Sequence, residues 1–234
     1  MQNLKVGNCI TQTNQMFNIY IMKTIKLYIF TAILFSSQLT LAASQAHLLY
    51  IIKTWPQAPK AMSLLETALK EAKIADLYIQ IAQSQDQDLG WIKLHTSRVK
   101  HALDGSKFGD GGLGYGVIKA SKQIAKQMNS AALASDASVN VKLHTQKIVT
   151  GAANAADIAT KMLDICNLIS RAISTSQALA YVAQLKQLSE ALMIGEDLNA
   201  DGKISHFDGE SGLTFTAQQL NFTASAEGLI KLKR

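Results

Sequence analysis

Apolar residues recur every three or four positions through most of this chain, in blocks set apart by polar or glycine-rich breaks. From Ala61 to about Ser84 the block is Leu65, Ala68, Ala72, Ala75, Ile79 and Ala82, a spacing that gathers one apolar face on a helix. A second helix is predicted from about Asp88 to Leu103, with Ile92, His95, Val99 and Ala102 in step and Asp104-Gly105 as its stop. A third covers about Tyr115 to Ala134. The fourth, about Ser138 to Ile173, carries the longest seam: Val141, His144, Ile148, Gly151, Ala155, Ile158, Met162, Ile165, Ile169 and Ala172. Such sustained alternation implies bundle packing, and the small Gly151 and Ala155 let a neighbouring helix come close. A fifth helix covers about Ser176–Ile194, and a short amphipathic segment, Thr214–Leu220 or somewhat longer, ends the chain. The expected class is all-α: an antiparallel helical bundle of four to five helices over residues 61–194, then a loop and short helix over 195–234.

Ahead of the bundle the pattern changes. From Met22 the chain reads two lysines, an apolar run Leu27–Phe35 broken by one Thr, and small residues ending Thr40-Leu41-Ala42. The run is too short to cross a bilayer of about 30 Å, and Thr40 and Ala42 suit a signal peptidase. Residues 1–42 are therefore read as an N-terminal extension plus a cleaved signal peptide, with the true start at Met22 and cleavage after Ala42, or as second choice after Ala46. Residues 43–60 read as a lead-in. The expected location is the periplasm or the exterior of a bacterial cell, with no stable membrane insertion once the signal is removed. Cleavage removes Cys9 and leaves Cys166 as the one thiol, a small buried hydrophobe by its apolar neighbours.

Composition agrees with this picture. Only two Pro occur in 234 residues, 48% of which are hydrophobic and 17% charged, which excludes disorder and collagen. The net charge of +6 comes from 23 Lys and Arg against 17 Asp and Glu. Three of the lysines lie in residues 1–42, and the rest are dispersed, without the basic stripe that grips phosphates, so no nucleic-acid partner is expected. A protein partner is left open.

Two breaks carry candidate chemistry. The stretch Gly105–Gly116 holds six of the chain's 14 glycines, yet it lacks a preceding strand and the spacing of a nucleotide-binding turn; it reads as a tight connection packed against a helix end. The second break is Asp197-Leu-Asn199-Ala-Asp201-Gly202-Lys203-Ile204-Ser205-His206-Phe207-Asp208. A calcium ion needs six to eight hard oxygens, and a twelve-residue EF-hand loop supplies them from positions 1, 3, 5, 7, 9 and 12. Those positions are Asp197, Asn199, Asp201, the Lys203 carbonyl, Ser205 and Asp208. Gly202 stands where the chain turns sharply, and Ile204 where an apolar side chain anchors the loop to the core. The loop departs from an EF-hand in closing on Asp rather than Glu and in lacking an exit helix directly after Asp208. Glu210 is expected to supplement or replace Asp208, and His206 to point outward.

In sequence order the chain shows Lys93-Leu94-His95, Val99-Lys100-His101-Ala102-Leu103-Asp104, Gly112-Leu113-Gly114-Tyr115-Gly116-Val117, Ala137-Ser138-Val139-Asn140-Val141-Lys142 with His144, and the loop from Gly195 followed by Gly209-Glu210-Ser211-Gly212-Leu213. Over about Ser63 to Leu220 this resembles a family of exported bacterial helical proteins with a C-terminal calcium-type loop. The resemblance implies the fold and the loop but no activity. Further helical histidines of that family fall where this chain has Tyr78, Gln127, Lys147 and Gln219, a departure from any shared multi-histidine site.

His95 and His144 lie on apolar seams, with His101 about 120° round the helix from His95. They can converge only across helices, and neither a Glu-x-x-His pair nor a haem-attachment motif accompanies them, so core histidines bonded to a carbonyl or carboxylate are expected. No catalytic motif is present. The functional expectation is an exported calcium-binding helical protein acting as a structural or interaction module, without catalytic activity. The alternative is a periplasmic bundle binding a transition metal or haem through His95, His101 and His144.

Overall fold

The computed structural model describes residues 42–84, 88–106, 110–206 and 208–231. Of the N-terminal extension and signal proposed for residues 1–42, all but Ala42 lie outside them, as do residues 107–109 of the glycine stretch. The chain divides between Leu41 and Ala42, and all that follows concerns the second unit. It is all-α, with helices α1 (Ala43–Ile52), α2 (Leu64–Ser84), α3 (Leu89–Asp104), α4 (Val117–Leu133), α5 (Val139–Arg171), α6 (Thr175–Ile194) and α7 (Leu213–Ala226). Among the described residues β pairing is confined to one isolated antiparallel bridge, Gly195 with Ser211.

Helix boundaries follow local hydrogen bonding. α2 starts at Leu64, later than Ala61, because Ser63 Oγ accepts the Glu66 N–H at 3.0 Å and Lys60 and Ala61 hold left-handed φ of 54° and 52°, incompatible with a helix. Asp88, Ser138 and Ser174 cap α3, α5 and α6 by accepting the N–H groups of Gly90, Val141 and Gln177. α3 stops at Gly105, whose φ of 67° lets the chain leave while its N–H bonds the His101 carbonyl.

α5 organises the bundle. Its 33 residues make a rod of about 50 Å against which α3, α4, α6 and α7 pack. Most of the expected seam is buried: Val141, Ile148, Gly151, Ala155, Ile158, Met162, Ile169 and Ala172. Two positions differ. His144 is half-buried, and Cys166 takes the interior place while Ile165 packs at the core's margin. A strict three-four alternation averages about 3.5 residues per turn against about 3.6 for the helix, so single positions slip off the buried face.

The lead-in contains a helix that the sequence pattern did not announce. In α1 Leu48 and Ile51 are fully buried, and α1 packs chiefly on α4. His47 Nδ1 and Gln127 Oε1 share a 2.6 Å hydrogen bond across that contact. No helix among the described residues is long and apolar enough to cross a membrane.

Candidate functional site

The loop between α6 and α7 is closed at its neck by backbone pairing. Glu196 N–H donates to the Glu210 carbonyl at 2.9 Å, and Gly212 N–H to the Ile194 carbonyl at 3.1 Å. Gly195, at φ 123°, has the Glu210 carbonyl where a side chain would begin, so only glycine fits the neck. α5 carries this neck from one side. Asn154 Nδ2 donates to the Ser211 carbonyl at 3.0 Å, Lys161 pairs with Glu196 at 3.3 Å, and Thr216 sits on bare Gly151. The small residue read as a point of close approach is thus where α7 lies on α5.

Inside the loop the side-chain oxygens of positions 1, 3 and 5 fold back onto its amides. The Asp201 N–H is shared by Asp197 Oδ1 at 3.2 Å and Asn199 Oδ1 at 3.0 Å, which draws two of the expected ligand oxygens together. Asp197 Oδ2 accepts from Gly202 at 2.8 Å, and Asp201 Oδ1 from Lys203 at 2.8 Å. Ala200 and Gly202 take the left-handed turn, φ 59° and 80°. Lys203 and Asp208 are exposed, and Ser205 is half-buried.

Glu210 is fully buried. Its Oε1 accepts from Leu198 at 2.9 Å and Asn199 at 3.2 Å, and its Oε2 from Ser205 at 2.8 Å. A buried carboxylate needs such partners, and these three amides fix the course of the loop on both sides of its turn. Two expectations are corrected. Ile204 does not anchor the loop in the core: it is 44% exposed, resting over Gly195 beside a shallow groove of about 520 Å³ lined by Leu188, Ala191 and Ile194. Gly195 offers it backbone to lie on but no enclosing side chains. His206 does not point outward but stacks on Phe215 of α7, ring centroids 5.0 Å apart, and burial, with Lys147 nearby, holds it below the ordinary histidine pKa.

The glycine stretch is held by the same device. Glu71 is fully buried on the apolar face of α2. Its Oε1 accepts from Tyr115 at 3.1 Å and Gly116 at 3.0 Å, and its Oε2 from Leu113 at 2.9 Å. His101 Nδ1 accepts the Gly112 N–H at 2.7 Å, which fixes the ring proton on Nε2. At Gly112 a side chain would begin 2.7 Å from the Ala102 Cα, so the glycines let this strip lie on the backbone of α3. The reading of a tight connection against a helix agrees with this geometry. Glu71 went unnoticed in the pattern, although an acid three residues after Ala68 and four before Ala75, on an apolar stripe, is the available signal.

The three histidines read as candidate metal ligands occupy three environments. His101 holds the glycine strip. His144 Nδ1 bonds Gln219 Oε1 of α7 at 2.9 Å. His95, 5% exposed, stacks between Tyr78 and Trp91 at centroid distances of 5.8 and 4.2 Å, and neither ring nitrogen has a partner among the described residues. Burial, with Arg98 adding to it, pushes its pKa below the ordinary histidine value. Three other side chains lie against histidines: Tyr78 on His95, Gln127 on His47 and Gln219 on His144. Among the described residues no three His, Cys, Asp or Glu side chains stand together as a metal-holding group. Buried Cys166 has its thiol pushed up to about 12 by burial, far from nucleophilic use at neutral pH.

No family model, no curated protein and no solved structure matches this chain.

Proposed function

We propose that this is an exported helical protein whose loop between α6 and α7 binds calcium, and that it serves as a structural or interaction module rather than an enzyme. The observation that carries the reading is the shared Asp201 N–H, which brings an oxygen of Asp197 and an oxygen of Asn199 together at positions 1 and 3 of a calcium-type loop. In this reading Asp197, Asn199 and Asp201 give side-chain oxygens, Lys203 its carbonyl, and Ser205 and Asp208 complete the set. Glu210 acts through the backbone it holds, its two oxygens accepting three amides of the same loop. Calcium would supply the positive charge that offsets five acids, Glu196, Asp197, Asp201, Asp208 and Glu210, within fifteen residues.

Extracellular modules bind calcium with dissociation constants of about 10⁻⁴–10⁻³ M, which suits a clamp better than a sensor. Titration calorimetry on the exported protein should give a single calcium site in that range. Absence of calcium heat would sink the reading, and iron, copper, zinc or haem in the purified protein would favour the histidine alternative.

A further inference from the structure

We propose that maturation cuts this chain between Ala42 and Ala43 and that the α-ammonium so released is held by the Asp136 carboxylate, which pins α1 to the turn between α4 and α5. The proposal rests on the export reading above, selects the first of its two cleavage points and adds a partner for the new terminus.

α1 has no cap of its own. Ala42 offers no side-chain acceptor and the first turn carries no acid, so its leading N–H groups need partners from elsewhere. One arrives from a distant part of the chain: Asp136 Oδ1 accepts the Ser44 N–H at 3.1 Å. Asp136 therefore does for α1 what an N-cap residue does for its own helix. Next to it the Ser44 hydroxyl is buried and without a partner among the described residues, a second acceptor beside the cut.

Hydrolysis of the Ala42–Ala43 bond by a signal peptidase adds water across the C–N bond, leaving a carboxylate on Ala42 and an ammonium on Ala43. A positive charge at a helix N-terminus opposes the helix dipole and is unfavourable unless an anion compensates it. Asp136 is already seated one residue away. Cutting after Ala46 instead would remove Ser44 together with its bond to Asp136, and would shorten α1 to six residues, His47–Ile52. The buried Leu48 and Ile51 would then sit on a helix with no cap at all.

Intact mass of the exported protein, followed by titration of its α-amino group by NMR, tests both halves. The expected product begins at Ala43, and its α-amino group titrates about half a unit above the usual N-terminal value of about 7.7–8, returning to that value in Asp136→Asn. A product that begins at His47, or an α-amino group indifferent to Asp136→Asn, overturns the proposal while leaving export intact. A chain that keeps Met1 or Met22 overturns the export reading itself.

Discussion

At the scale of single residues the fold disfavours the charged forms of two histidines, and His95 is the clearer case. It sits between two aromatic rings with no hydrogen-bond partner among the described residues, and its pKa lies below the ordinary 6.5 because burial penalises the imidazolium, with the Arg98 charge adding to this. The unfolded chain binds a proton near pH 6.5 that folded His95 refuses. Its stabilisation is therefore complete above about pH 7, is lost as the pH falls through 6.5, and levels off only below the depressed folded value. His206 is shifted the same way and adds to the slope. Denaturant unfolding between pH 7.5 and 5 should show stability falling with acid. His95→Phe, which keeps a ring between Tyr78 and Trp91, should flatten part of that fall and leave the share due to His206. An unchanged slope in the variant means His95 takes up its proton without cost.

Among the elements, two connections that look unrelated in sequence are built alike: each is a glycine-bearing strip whose amides are gathered by one buried glutamate, Glu71 for residues 113–116 and Glu210 for residues 198–205. Replacing Glu71 by Gln keeps an acceptor for Tyr115 and Gly116 but turns an NH₂ group toward the Leu113 N–H, so Glu71→Gln should cost about 1.5–3 kcal/mol by urea unfolding. Hydrogen exchange at Leu113 should rise most; uniform exchange across the strip would argue against the clamp. The helices themselves were legible because burial repeats with the helical period: α2 to α6 lie within a few residues of the positions that pattern predicts, while α7 runs on from Leu220 to Ala226. α1 was hidden because its large apolar residues come as one unbroken run, Leu48–Ile52, which shows no three-four spacing. Glu71 was hidden for another reason, since amides that seek an acceptor leave no trace in the identity of their own residues. The sharp turn inside the loop was legible because Gly202 marks it, and Gly202 does take a left-handed φ of 80°. The exposure of Ile204 was not, because it depends on what α6 leaves uncovered.

For the whole molecule, the loop's attachment decides whether a cation bound there is felt throughout the fold. The neck between Gly195 and Ser211 is joined to α5 through Asn154 and Lys161, and α7, which continues from it, packs on both α5 and α6. α5 in turn contacts most of the bundle, so unfolding of the bundle should carry the loop with it. Under that coupling, free calcium at ten times its dissociation constant stabilises the folded chain by about 1.4 kcal/mol if the unfolded chain does not bind. For a chain of this size that corresponds to a rise in Tm of about 3–6 °C. Asp201→Ala removes an oxygen at position 5 and should abolish the rise. In chelator the same variant should melt at nearly the parent temperature or slightly above it: the change removes one exposed bond to Lys203 and also one of five mutually repelling acids. Calorimetric scans in calcium and in chelator, for parent and variant, read all four values. A calcium heat without any shift in Tm would mean that the loop opens independently of the bundle. Identical shifts in parent and Asp201→Ala would place the bound ion elsewhere on the molecule.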